Sequence, residues 1–233
     1  MLSLAEELLL LSLDDEKGTI PGSVQQALGY GLAAAGVVDV LLAGKLVMGD
    51  KKKVSVAGDA PTGDEVLDEM LAHIQQAKHT KSIGDWVKNF GNGGIKRLQE
   101  RLERRLVEKG ILRVEEGKYL RLIPWRHYPT VDGAPEAETR EKIRTVLLGG
   151  AEPDARTAIL ISLTRASKLL DQLFPKDDRK RADQRAKEIA KGELAGEAVS
   201  KAADEAVAAT VAATMVAISA ASAAAGAAST SSS

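Results

Sequence analysis

Residues 94–124, GIKRLQERLERRLVEKGILRVEEGKYLRLIP, set an arginine-studded segment of helical period before a glycine and then an alternating segment. At about 100° per residue, Leu98, Leu102 and Leu106 fall on one stripe with Ile95 and Lys109 nearby, while Arg97, Arg101 and Arg104 share a separate face. The spacing predicts an amphipathic helix over 94–109 that packs with one side and presents guanidinium groups with another. Gly110 ends it, and residues 111–123 read as a hairpin with Glu116-Gly117 at its turn. Between Lys96 and Arg121, nine Lys or Arg stand against five Asp or Glu, a local excess of four positive charges in a chain of net charge −1. Glu100, Glu103 and Glu108 lie at helical spacing from Arg104 and Arg105, so ordinary surface pairing and an anion-facing surface are both open at this point.

The rest of the chain is built for helices. With 44% hydrophobic and 28% charged residues over 233 positions it can bury a sizeable core, and with only 3% aromatics that core rests on Leu, Val, Ile and Ala. This composition argues against an all-β sandwich. No cysteine is present, so there is no disulfide framework, thiolate metal site or thiol nucleophile, and a reducing, cytosolic compartment is the default. The start, MLSLAEELLLLSLDDEKG, lacks a positive n-region and is interrupted by Glu6 and Glu7, so it reads as a first helix rather than a secretory signal. Residues 206–228 carry no charge and are long enough to cross a bilayer, but Ala, Ser and Thr dominate them. They are expected as a water-soluble helix partly buried through Val207, Val211, Met215 and Ile218.

Further along the chain, Ser23 is the expected N-cap of a helix reaching about Ala43, rich in Ala and Gly. After Gly44, residues 45–57 read as two short strands with a basic tip, and 60–63 lead into an acidic helix over about 64–78. A short helix near 83–90 and a Gly-rich break at 91–94 precede the basic segment, and residues 41–56 echo 106–122 in outline: helix end, glycine, strand, charged turn, strand. Residues 124–135 read as a loop, and helices are expected at about 136–148, 154–173, 176–191 and 193–227. The fold expected is mainly α: a helical bundle with surrounding amphipathic helices and one or two small β-hairpins. One domain over 1–228 and a flexible tail at 229–233 complete it.

Catalytic signals are poor. Gly29-Tyr30-Gly31-Leu32-Ala33-Ala34 matches a loose dinucleotide fingerprint, but no strand precedes it, and tight helix packing explains the glycines. His73, His79 and His127 lack metal-ligand spacing, and Asp64, Glu65, Asp68 and Glu69 suit the positive end of a helix dipole. No metal, cofactor or catalytic residue is expected. A basic helix followed by a hairpin is also the outline of a winged helix, which makes a DNA-binding regulator using the 94–109 helix and 111–123 hairpin the alternative reading. An anionic lipid headgroup asks for a smaller cluster of cations beside an apolar element, and Lys96, Arg97 and Arg101, with Leu120, Leu122 and Trp125 at the interface, supply those chemistries.

At this point the residues resemble the Golgi phosphoprotein 3 family of phosphatidylinositol 4-phosphate-binding peripheral membrane proteins. The resemblance is carried by LSLAEELLLLSLDDEKG, DVLLAGKL at 39–46, PTGDEVLDEMLAHI at 61–74 and ERLERRLVEKGIL at 100–112, in the family's order over most of residues 2–128. It implies a central bundle wrapped by amphipathic helices, a hairpin for membrane contact or homo-oligomer formation, and a headgroup pocket of one tryptophan and several arginines. The tryptophan's place falls at Val24, the first arginine's at Ala33 and the helix arginines' at Lys96 and Gln99, so only Lys96 keeps a charge. The Ala-rich chain, starting directly at the domain, looks like a bacterial member. The expectation is a non-enzymatic, cytoplasmic, peripherally membrane-associated protein, on the Golgi cytosolic face only if eukaryotic. Its expected partners are an anionic phospholipid or phosphoinositide and the membrane surface, with DNA only in the alternative.

Overall fold

The computed structural model describes residues 1–14, 17–49, 53–58, 60–95, 97–119 and 123–191, and the expected last helix and tail lie outside these. Helix α1 (Leu4–Leu10) is short and leucine-rich because it is sunk in the core, where every leucine from Leu4 to Leu11 is at most 1% exposed. Its start is closed by a capping box: the Glu6 amide donates to Ser3 Oγ at 3.2 Å and the Ser3 amide to Glu6 Oε2 at 2.8 Å.

Helix α2 (Gly22–Leu42) is the axis of the fold. It is long and apolar enough to cross a bilayer, yet most of it is buried within the protein, because helices pack on it from several sides. Those helices are α1, α3 (Glu65–Gln75), α4 (Ile83–Asn89), α5 (Leu98–Glu108) and α7 (Ala155–Ala166). Gly31 belongs to this packing, since a Cβ there would lie 2.1 Å from Ser167 Oγ at the end of α7. The tight-packing reading holds for Gly31 alone, since a Cβ at Gly29 would meet nothing within 4 Å. An outer layer of α6 (Ala134–Leu147), the single turn α8 (Leu170–Leu173) and α9 (Lys176–Ala190) completes a mainly α fold.

Two small antiparallel sheets interrupt the helices. Strands β1 (Leu46–Met48) and β2 (Lys53–Val56) form the first expected hairpin, and β3 (Lys81–Ser82), unread in the sequence because it is two residues long, adds a third strand beside β2. The second sheet pairs β4 (Glu115–Tyr119) with β5 (Ile123–His127). The echo survives as local geometry: Gly44 (φ 68°) and Gly110 (φ 73°) each stand two residues past a helix end in the left-handed conformation that closes a helix.

Three expectations are corrected. Glu116 and Gly117 are not a turn but the middle of β4, opposite Arg126 and Trp125, and residues 124–127, expected in a loop, belong to strand β5. A cross-strand ion pair from Arg126 to Glu116 at 2.6 Å rewards that register, as does the Trp125 ring lying over Gly117, where a Cβ would come within 2.5 Å of it. The helix expected over 154–173 breaks after Ala166, where Lys168 adopts φ 61° without a glycine or proline to announce it.

Helices α1 and α2 are also joined by a buried carboxylate. Asp39, 8% exposed, accepts the Leu4 and Ala5 amides at 3.1 and 3.4 Å, so a side chain of α2 serves the N-terminus of α1. Burial pushes its pKa up to about 6 from 3.8, against the pull of those two amides. A carboxyl with a raised folded pKa binds more protons folded than unfolded between these values, so its contribution falls as pH rises through that window. Unfolding free energy is expected to drop by about 1 kcal/mol between pH 5 and 7 on this account, from a difference of about two pKa units. Denaturant titrations at both pH values should show Asp39→Asn with a flatter dependence than the parent; an equal slope would rule the group out.

Candidate functional site at the start of α5

Helix α5 buries the stripe read from its sequence: Leu98, Leu102 and Leu106 are 8%, 1% and 0% exposed. The basic side, however, is largely occupied. Arg101 reaches the acidic first turns of α3, pairing with Glu69 and, at 2.7 Å, with Glu65. Burial opposes its charge, and the two carboxylates more than offset that, raising its pKa. One turn on, Arg105 contacts Asp64 at 2.7 Å and Glu6 at 3.3 Å. Lys109, a further turn on, donates to both oxygens of Glu6 at 2.6 and 2.8 Å.

These contacts account for the acidic block at residues 64–69. Asp64 Oδ1 caps α3 by accepting the Val66 and Leu67 amides at 2.9 and 3.2 Å, while its other oxygen holds Arg105. Asp68 accepts from the Thr62 amide and hydroxyl, both at 2.6 Å, and these bonds hold its carboxyl below the usual range. Among the described residues no group of three or more His, Asp or Glu is arranged to hold a metal. The surface pairing read from spacing within α5 is replaced by pairing between helices. With Arg101, Arg105 and Lys109 engaged, α5 does not offer the free basic face that a DNA-reading helix needs.

Of the expected ligands, Arg97 is free of such ties. It is the N-cap of α5, in the left-handed conformation (φ 53°, ψ 37°), its side chain 75% exposed and 3.7 Å from Glu100. The chain reaches it through a tight π-type turn, Phe90–Gly94, which ends the run from α4 and redirects the backbone. No side chain caps α5, so its first-turn amides are left for water or an anion. Lys96 lies outside the described residues, as do Leu120 and Leu122; Trp125 is 38% exposed on β5, its ring 4.5 Å from that of His127.

Beside Arg97 is a cleft of about 350 Å³ walled by Gln25 and Gly29 of α2, Gly91 and Gly93 of the turn, and Gln99 and Glu100 of α5. A second, of about 400 Å³, continues past Gln99 to Glu103, Arg126 and Tyr128. Gln25 Nε2 donates to Gln99 Oε1 and Gln99 Nε2 to Glu103 Oε1, each at 2.7 Å, so a polar bridge separates the two. Glu103 is 4% exposed; burial raises its pKa, while bonds from Gln99 and Tyr128 work the other way. Val24 and Ala33, the positions matched to a tryptophan and an arginine, are 4% and 0% exposed and belong to the core. Gln25 went unnoticed in the sequence because its partner is 74 residues away, with no local pattern linking them.

Removing both Arg105 and Lys109 would strand the fully buried Glu6 without a cation. Arg105→Ala/Lys109→Ala is expected to lose about 3 kcal/mol or more in urea unfolding, whereas Arg97→Ala should stay within about 0.5 kcal/mol. Comparable losses in the two variants would show that the Glu6 contacts are not structural.

The model of the Golgi phosphoprotein 3 (GPP34) family matches residues 4–206. The chain is also similar to vacuolar protein sorting-associated protein 74 of Eremothecium gossypii, with 25% identity over 166 residues, 63% of this chain and 49% of that protein. The chain therefore spans about half the length of the curated relative it matches.

Proposed function

The chain belongs to the Golgi phosphoprotein 3 (GPP34) family, and from that premise we propose that it is a non-enzymatic peripheral membrane protein that binds an anionic phospholipid headgroup at the start of α5. The observation carrying this reading is Arg97: an exposed guanidinium held in a left-handed backbone beside uncapped helix amides and an open cleft. Lys96 adds the neighbouring cation. Arg101 acts as a positioning residue, since its pairs with Glu65 and Glu69 fix α5 against α3 and so fix where Arg97 stands. The hairpin β4–β5 supplies the apolar contact, with Trp125 half out of the protein surface and Leu120 and Leu122 between the strands in sequence. The family resemblance implies phosphatidylinositol 4-phosphate. Three of the four side chains it calls on are Val24, Ala33 and Gln99 here, so the ligand proposed is the wider class of anionic phospholipid. The place proposed is the cytosolic face of a membrane.

Co-sedimentation with phosphatidylcholine vesicles, with and without anionic phospholipid, tests this. The chain should pellet with the anionic vesicles alone, and Lys96→Ala/Arg97→Ala should weaken binding by about 30-fold, at about 1 kcal/mol per cation near a charged surface. Equal binding to neutral vesicles, or an unchanged double variant, would remove the proposal.

A further inference from the structure

We infer that the open edge of strand β2, with the cleft beside it, binds an extended, acidic peptide segment of another protein by adding it to the sheet as a further strand. This site is separate from the headgroup reading above and does not rest on it.

The first argument is the hydrogen-bond ladder. Strand β2 bonds its neighbour β1 through alternate residues: the Ala57 amide donates to the Lys45 carbonyl and the Gly49 amide to the Lys53 carbonyl, both at 2.8 Å, with Val56 opposite Leu46 between them. Val54 and Val56 therefore turn their N–H and C=O groups away from β1, to the side of β3. Val54 lies opposite Lys81 there, but β3 is two residues long and the pairing ends at that point. Val56 has no backbone partner on that side among the described residues. An N–H and a C=O presented together by one strand residue are what one residue of an extended chain pairs with.

The second argument is the cleft that this edge borders. It encloses about 370 Å³ and is walled by Ser55 and Val56, Ile74 of α3, Ala77, Thr80 and Trp86 of α4. Trp86 is 2% exposed and its indole N–H is buried without an acceptor, so unmet groups on Val56 and on Trp86 border the same cleft. Directly opposed residues share a face of the sheet, and on this face Val54 is buried and Val56 packs against the core, which suits an apolar side chain opposite Val56.

Charge chooses the occupant. Lys78 stands in the chain between Ala77 and His79, both in the cleft wall, and Lys81 holds its Nζ 4.8 Å from the centre of the Trp86 ring. Both lysines are exposed, and neither pairs with a carboxylate among the described residues. The carboxylate of Asp85, next to Trp86, takes the Ser82 hydroxyl at 2.7 Å. Two edges of this charge repel each other, so a second copy is disfavoured and an acidic strand is attracted.

The probe is a capped, fluorophore-labelled pentapeptide of alternating glutamate and valine, titrated into the full chain by anisotropy. It should bind saturably and slow deuterium exchange at the Val56 amide. Of the two indole N–H resonances, that of Trp86 should move and that of Trp125 should not. Methylating the valine nitrogens of the peptide, which leaves the protein untouched, should weaken binding about three- to tenfold, the worth of one hydrogen bond. Lys78→Glu/Lys81→Glu should lose the acidic peptide and take up its lysine–valine counterpart. Absence of saturable binding overturns the inference, and so does binding that ignores the methylation, because it follows charge alone. Displacement by anionic vesicles, or loss of binding in Arg97→Ala, would place the peptide at the start of α5 and overturn it too. Self-association of the chain that the peptide reverses would put a second copy on the edge instead.

Discussion

The carboxylate of Glu6 is the point on which the arrangement of helices turns. It is fully buried, it completes the capping box of its own helix with Ser3, and it receives Lys109 and Arg105 from α5. Arg105 continues to Asp64, which caps α3. One buried charge thus ties the starts of α1 and α3 to the second half of α5. An isolated carboxylate in that place would cost several kcal/mol, so the site is tolerable only with both cations and the Ser3 amide in position. Asp39 repeats the device between α2 and α1, with backbone amides in place of cations, and its raised pKa shows how incompletely two amides offset burial.

That constraint divides the labour along α5. Every fourth residue from Arg101 onward, Arg101, Arg105 and Lys109, is turned toward carboxylates of α1 and α3, where it holds helices together. The N-terminal end, at Arg97, is left with an exposed cation and unsatisfied amides. A helix that looks basic throughout therefore presents its charge to solvent mainly at that end and at Arg104, which makes no ion pair among the described residues.

Much of this was legible beforehand because it follows from period and capping. The Leu98, Leu102 and Leu106 stripe, the long helix before Gly44, the hairpin after it and the mainly α fold all rest on spacing that any local window contains, although Ser23 lies inside that helix, which starts at Gly22 without a side-chain cap. The lost register of the second hairpin has a different cause. Glu116-Gly117 has turn chemistry, but the Arg126 pair and the Trp125 ring over Gly117 decide the outcome, and neither is a local signal. The same holds at the candidate site. The residues 96–101 could be read as cationic, whereas the engagement of Arg101 depends on Glu65 and Glu69, more than thirty positions earlier. The acidic run at 64–69 was the available clue, since a helix with a local positive excess and another with a negative one can satisfy each other across a core.

The cleft and the hairpin are also joined physically. Gln25 bonds Gln99, Gln99 bonds Glu103, Tyr128 lies close enough to both Glu103 and Arg126 to influence their charges, and Arg126 pairs with Glu116 on β4. The Gln99–Glu103 bond ends on a buried carboxylate, where such bonds are stronger and an unmet partner is costly. A change at the Gln25–Gln99 bridge therefore reaches the Glu103 carboxylate, whose neutral form burial already favours, before it reaches the strand that carries Trp125. The polar contacts thus run from Gln25 on α2, beside the cleft, to Glu103 in the middle of α5.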